Sequence, residues 1–118
     1  MVKDWPDLAK QMTGAMQELR GGIPEVMNAF SAIAKAATAH KAMDPKTKEL
    51  VALGIAIATR CDGCIAFHSK ACRSYGATRE EVLETVGMAI YMGGGPSVMY
   101  GALAVEAFDQ FQPEMAKG

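Results

Sequence analysis

Apolar side chains recur three and four positions apart through most of this chain, the period of helices that bury one face. Between Asp4 or Trp5 and Gly21-Gly22 they fall at Leu8, Met12, Met16 and Leu19, with Pro6 suited to an opening helical turn. Pro24 opens a second stretch, with Val26, Met27, Phe30, Ile33 and Ala37 on one side. Asp44 followed by Pro45 reads as the N-cap and first residue of a third helix. That helix becomes continuously apolar from Leu50 to Ala58 and is expected to be central. A buried strand would also suit the β-branched residues of this run, but its length with Lys46-Thr47-Lys48-Glu49 and its alanines favour a helix.

A fourth helix follows Arg60, carrying Cys61, Cys64, Ile65, Phe67, Ala71 and Cys72 before Gly76 stops it. Thr78-Arg79-Glu80-Glu81 has the form of a capping box, which starts a fifth helix through Val82, Val86, Ile90 and Met92. Pro96 begins a sixth that ends near Phe111-Gln112-Pro113, and the tail beyond Pro113 is expected to fray. No alternating pattern of strands, internal repeat or linker interrupts this order. The chain is therefore expected to be all-α, about six helices joined by short loops, in one domain spanning residues 1–118.

Composition narrows the function. At 118 residues, half of them hydrophobic and 21% charged, the chain is too short for a multidomain enzyme and too apolar to be disordered. A formal net charge of −1 offers nothing to hold phosphate backbones or anionic lipid, so neither nucleic acid nor membrane is expected as a partner. The uncharged stretch between Glu84 and Glu106 has the length of a membrane span, but Gly93-Gly94-Gly95-Pro96-Ser97 breaks it into two soluble helices. The N-terminus lacks the pattern of a secretory signal, which makes the cytoplasm the expected location. Nine methionines with abundant Ala and Gly suggest tightly packed helices, some of whose apolar surface closes against other copies of the chain.

Three cysteines are not a disulfide framework, and two of them form the CxxC of Cys61-Asp62-Gly63-Cys64. Thiol exchange needs a thiolate, a second sulfur within reach and a group that moves protons. Cys61, Cys64 and His68 supply these, because residues four apart share a helix face and CxxC spacing brings two Cα atoms within disulfide range. If Asp62 caps the fourth helix, Cys64 lies in its first turn, where the helix dipole favours a thiolate while the Asp62 charge opposes it. Glu49 begins the apolar run of the third helix and continues on its face through Ala52, Leu53 and Ala56. It stays at the solvated edge or turns inward to a partner, for which His68 is suited, since a carboxylate fixes the imidazole tautomer.

Other readings compete with this one. Zinc held by Cys61, Cys64 and His68, with Cys72, His40 or Glu49 as fourth ligand, lacks a second paired motif. A c-type haem requires His where Ile65 stands. Cys72 lies about 12 Å along the helix from Cys64, too far to be its resolving partner, and reads as a core cysteine. His40 reads as an exposed loop residue. The glycines at 93–95 lack the Lys and Ser/Thr of a phosphate-binding loop.

The pattern Glu49, eleven residues, Cys61, two, Cys64, three, His68 lies within Asp44-Pro45-Lys46-Thr47-Lys48-Glu49-Leu50-Val51-Ala52-Leu53-Gly54 and before Tyr75-Gly76-Ala77-Thr78-Arg79-Glu80-Glu81. In this it resembles the carboxymuconolactone decarboxylase family, in its alkylhydroperoxidase D-like branch, over about Pro24 to Phe108. The resemblance implies an all-helical subunit assembling into trimers or hexamers, and a peroxidase that uses a redox-active cysteine pair without metal or organic cofactor. It implies Cys64 as the peroxidatic sulfur, Cys61 as proton donor and resolving thiol, and Glu49 with His68 as a proton relay. A hydroperoxide would be the substrate and a dithiol protein or small thiol the reductant. The sequence departs from the well-known alkylhydroperoxidase in having Gly63 where that protein has His. The namesake lactone decarboxylases lack the cysteine pair. A general thiol–disulfide oxidoreductase or a redox sensor is the alternative.

Overall fold

The computed structural model describes residues 1–113, so the frayed tail expected after Pro113 lies outside the described residues. Six helices follow one another: α1 (Trp5–Gly22), α2 (Pro24–Thr38), α3 (Pro45–Ala58), α4 (Asp62–Ser74), α5 (Arg79–Gly93) and α6 (Gly95–Gln110). Among the described residues there is no strand. The expected all-α class holds, and its boundaries follow from local chemistry. Asp4 accepts from the Asp7 N–H at 3.1 Å and Asp44 from the Thr47 N–H at 2.7 Å, each occupying a donor that a helix start leaves free. Thr78 and Glu81 form the reciprocal capping box of α5. The sixth helix begins one residue earlier than expected, with Gly95 ahead of Pro96.

Helices α3, α4, α5 and α6 pack against one another around Leu53, Ile57, Ile65, Val82 and Phe108, all fully buried. Burying each of these side chains contributes about 1.5–3 kcal/mol relative to leaving it in water. Trp5 closes one end of this core from the start of α1. The Val86 side chain of α5 packs so closely on α6 at Gly101 that a Cβ there would stand 2.6 Å from Val86 Cγ1. Arg73 of α4 fastens the end of α6, donating from Nε to the Phe111 carbonyl (2.8 Å) and from Nη2 to that of Phe108 (3.0 Å).

Helix α2 departs from this pattern. Among the described residues nothing covers its apolar side, with Val26, Phe30 and Ile33 each more than 60% exposed and no residue of the helix buried. Among the described helices it touches α1 and α3 alone. Lys48 of α3 holds its end, donating to the carbonyls of Ala37 (2.8 Å) and Ala39 (2.7 Å), which the terminating helix leaves free. The outer face of α3 is likewise open at Val51 and Ile55.

Candidate active site

The cysteine pair is placed by the junction of α3 and α4. Helix α3 ends in a Schellman turn: the Cys61 N–H donates to the Ala56 carbonyl (3.0 Å) and the Arg60 N–H to that of Ile57 (3.2 Å). Arg60 occupies the left-handed position of this turn, φ 58°, where glycine is usual. Cys61 then serves as the N-cap of α4, with its sulfur 3.2 Å from the Cys64 N–H. Asp62, a possible cap from the sequence, is instead the first residue of the helix. The reason is local: the Schellman turn already fixes the backbone of Cys61, whose side chain thereby reaches the free N–H groups before Asp62 can.

Cys61 and Cys64 are joined as a disulfide with a Cα–Cα separation of 5.2 Å. One turn along α4, His68 lies on the Cys64 side, and Glu49 comes to it from α3. Glu49 is 8% exposed, and a carboxylate so placed requires a partner. His68 Nδ1 stands 2.7 Å from Glu49 Oε2. With the carboxylate charged, Nδ1 carries the hydrogen and donates, which leaves Nε2 to accept and pass on a proton. A cavity of about 220 Å³ opens beside Cys64 and His68, walled by Ala52, Ile55, Ala56 and Thr59 of α3. Ala52 and Ala56 lie on the Glu49 helix face noted in the sequence. Ile55 and Thr59 were not visible there, because nothing local shows how α3 crosses α4.

The structure thus brings Glu49, Cys61, Cys64 and His68 to one side of the α3–α4 pair. Cys72 is apart, unpaired and fully buried. Burial first, then the negative charges of Glu49 and Glu81, push its thiol up to about 12, so it stays protonated at neutral pH. His40 is exposed in the connection between α2 and α3. Among the described residues no three His, Cys, Asp or Glu side chains are grouped to hold a metal ion. A larger cavity, about 380 Å³, lies between α3 and α5 along Leu50, Gly54, Thr85, Met88 and Met92, and no ionisable side chain lines it. The cysteine pair lies elsewhere, and Cys64 lines the smaller cavity.

One neighbour of the pair escaped the sequence reading. The Lys3 ammonium forms an ion pair with the Asp62 carboxylate, within the CxxC itself. No pattern pairs residues that far apart in the chain.

The profile of the carboxymuconolactone decarboxylase family matches residues 24–107. An uncharacterised protein of Cupriavidus necator is 40% identical over 86 residues, 73% of this chain and 76% of that protein. An uncharacterised protein encoded in the cox locus of Paracoccus denitrificans is 32% identical over 98 residues, 83% of this chain and 88% of that one. The crystal structure of an apo carboxymuconolactone decarboxylase family protein from Legionella pneumophila superposes with a TM-score of 0.87 at 51% identity, covering 91% of this chain and 96% of that chain. Among the described residues no helix is long and apolar enough to cross a membrane.

Proposed function

The chain belongs to the carboxymuconolactone decarboxylase family, and from that premise we propose that it is a thiol peroxidase that reduces organic hydroperoxides through Cys61 and Cys64. The observation that carries this reading is the buried Glu49 carboxylate held 2.7 Å from His68 Nδ1 beside the cavity that also exposes Cys64. A disulfide that served structure alone would have no use for a buried carboxylate paired with a half-exposed imidazole at its edge.

In this reading His68 Nε2 accepts the Cys64 proton while Glu49 stabilises the imidazolium. The thiolate attacks the terminal peroxide oxygen, the O–O bond breaks, and the alkoxide leaves as alcohol after taking the proton back from His68. Cys64 is then a sulfenic acid. The Cys61 sulfur attacks it, water departs, and the disulfide forms. A dithiol protein or small thiol reduces it and restores the cycle. The apolar wall of Ala52, Ile55 and Ala56 suits the organic part of a hydroperoxide better than it suits hydrogen peroxide.

The test is anaerobic stopped-flow oxidation of the reduced protein by cumene hydroperoxide, with peptide mapping of the product. Fast oxidation ending in the Cys61–Cys64 disulfide, abolished by Cys64→Ser and halted at a dimedone-trappable sulfenic acid by Cys61→Ser, is the expected result. Undiminished consumption by Cys64→Ser removes the assignment. Oxidation no faster than that of a free thiol transfers the pair to thiol–disulfide exchange or redox sensing.

A further inference from the structure

Asp62 stands between the two cysteines, so its negative charge opposes a thiolate at either one. The structure supplies that charge with a partner, the ammonium of Lys3. Exposed ion pairs between long side chains ordinarily contribute little, because both must be immobilised to meet. The backbone of Lys3 is already held in place. Its N–H donates to Glu106 Oε2 (3.2 Å) and its carbonyl accepts from Gln110 Nε2 (2.7 Å), so α6 holds both sides of its backbone. Trp5, fully buried, binds the same two residues, donating from Nε1 to Glu106 (2.9 Å) and from its backbone to Gln110 Oε1 (2.7 Å). The ammonium also lies 5.7 Å from the Trp5 ring centroid, in range of a favourable cation–π contact.

We propose that Lys3 is a positioning residue for the cysteine pair: clamped to α6, it neutralises Asp62 and so favours the thiolate of the reduced Cys61–Cys64 pair. This rests on the thiol chemistry proposed above. Glu49, His68 and Glu106, charges near the pair, have partners of their own. Glu49 and His68 bond each other, Glu106 is occupied by Trp5 and the backbone of residues 2 and 3, and Arg60 precedes Cys61 in the turn. Among the described residues, Lys3 is the one cation in an ion pair with Asp62.

The experiment is alkylation of the reduced full-length protein by iodoacetamide across pH, with mass mapping of the cysteine that reacts. Lys3→Met keeps the aliphatic stem and exposes the Asp62 charge. Loss of one neighbouring unit charge in a water-like dielectric moves the alkylation midpoint up by about half a pH unit, about threefold less thiolate below the midpoint. Lys3→Arg should restore the wild-type midpoint, and so should the double variant Lys3→Met/Asp62→Asn, in which neither charge remains. A Lys3→Met profile superimposable on wild type overturns the proposal even if the melting temperature falls, because a plain anchor changes stability without moving the midpoint. A double variant that stays shifted with Lys3→Met also overturns it. A shifted midpoint in a protein slow toward cumene hydroperoxide upholds the role of Lys3 and removes the peroxidase reading. Fast peroxide oxidation with an unmoved midpoint does the reverse.

Discussion

Replacing Glu49 by glutamine keeps the shape of a nearly buried side chain and removes its charge. In the native protein the carboxylate accepts from His68 Nδ1 across 2.7 Å. An amide oxygen still accepts there, but more weakly. A hydrogen bond involving a charged group contributes about 1.5–3 kcal/mol and a neutral one about 0.5–1.5. The difference, about 1–1.5 kcal/mol, is felt when His68 carries the proton of Cys64, and it corresponds to roughly tenfold slower oxidation. Glu49→Ala leaves the imidazole with no fixed tautomer and should slow the step by about a hundredfold, the lower range for a general acid–base group. The assay is the stopped-flow reaction of reduced protein with cumene hydroperoxide at neutral pH, with circular dichroism to confirm that each variant is folded. Identical rates in wild type, Glu49→Gln and Glu49→Ala would refute the relay.

Three further outcomes follow from the fold. Gly101→Ala places a Cβ 2.6 Å from Val86 Cγ1 and should destabilise the α5–α6 contact by about 1–3 kcal/mol, read by urea unfolding; an unchanged midpoint would show that the helices separate freely. Backbone hydrogen bonds at Asp44 and Glu81, and the Trp5 indole at Glu106, lower these three carboxyls below their ordinary values of 3.8, 4.5 and 4.5. Their contribution to stability is therefore complete above those values and fades as pH falls through the lowered ones, so Glu106→Gln should flatten part of the acid decline in melting temperature. Cys72, buried and protonated, should resist iodoacetamide in the native reduced protein at pH 8 while the CxxC pair reacts; equal labelling of all three cysteines would contradict its burial.

Legibility in the sequence tracked the range of the interactions concerned. Local signals carried far: Asp44-Pro45 and the Thr78–Glu81 box fix helix starts through bonds spanning three residues, and Cys64 with His68 follows from helical spacing alone. The Glu49–His68 pair joins two helices; the sequence leaves Glu49 either at the solvated edge or turned inward to a partner such as His68, and the fold takes the second course. The cap of α4 stays open in the sequence because Arg60 adopts a left-handed conformation with no glycine to announce it. Lys3 was invisible because its position depends on Glu106 and Gln110, a hundred residues away in the chain. The uncovered side of α2 was equally hidden: helical spacing reveals an apolar stripe but not whether anything in the same chain lies against it.

The turn between α3 and α4 also bears on how such a chain tolerates changes in length. Cys61 ends one helix and caps the next, so residues 59–61 contain no slack in which an added or deleted residue could be absorbed. Any insertion there would rotate Cys64 and His68 about the axis of α4 by about 100°, away from Glu49. The connection at residues 39–44 between α2 and α3 lies outside the helices and holds none of Glu49, Cys61, Cys64 and His68. Insertions and deletions among working descendants of this sequence should therefore gather in that connection, while the stretch from Ala58 to Asp62 keeps a fixed length even where its residues change.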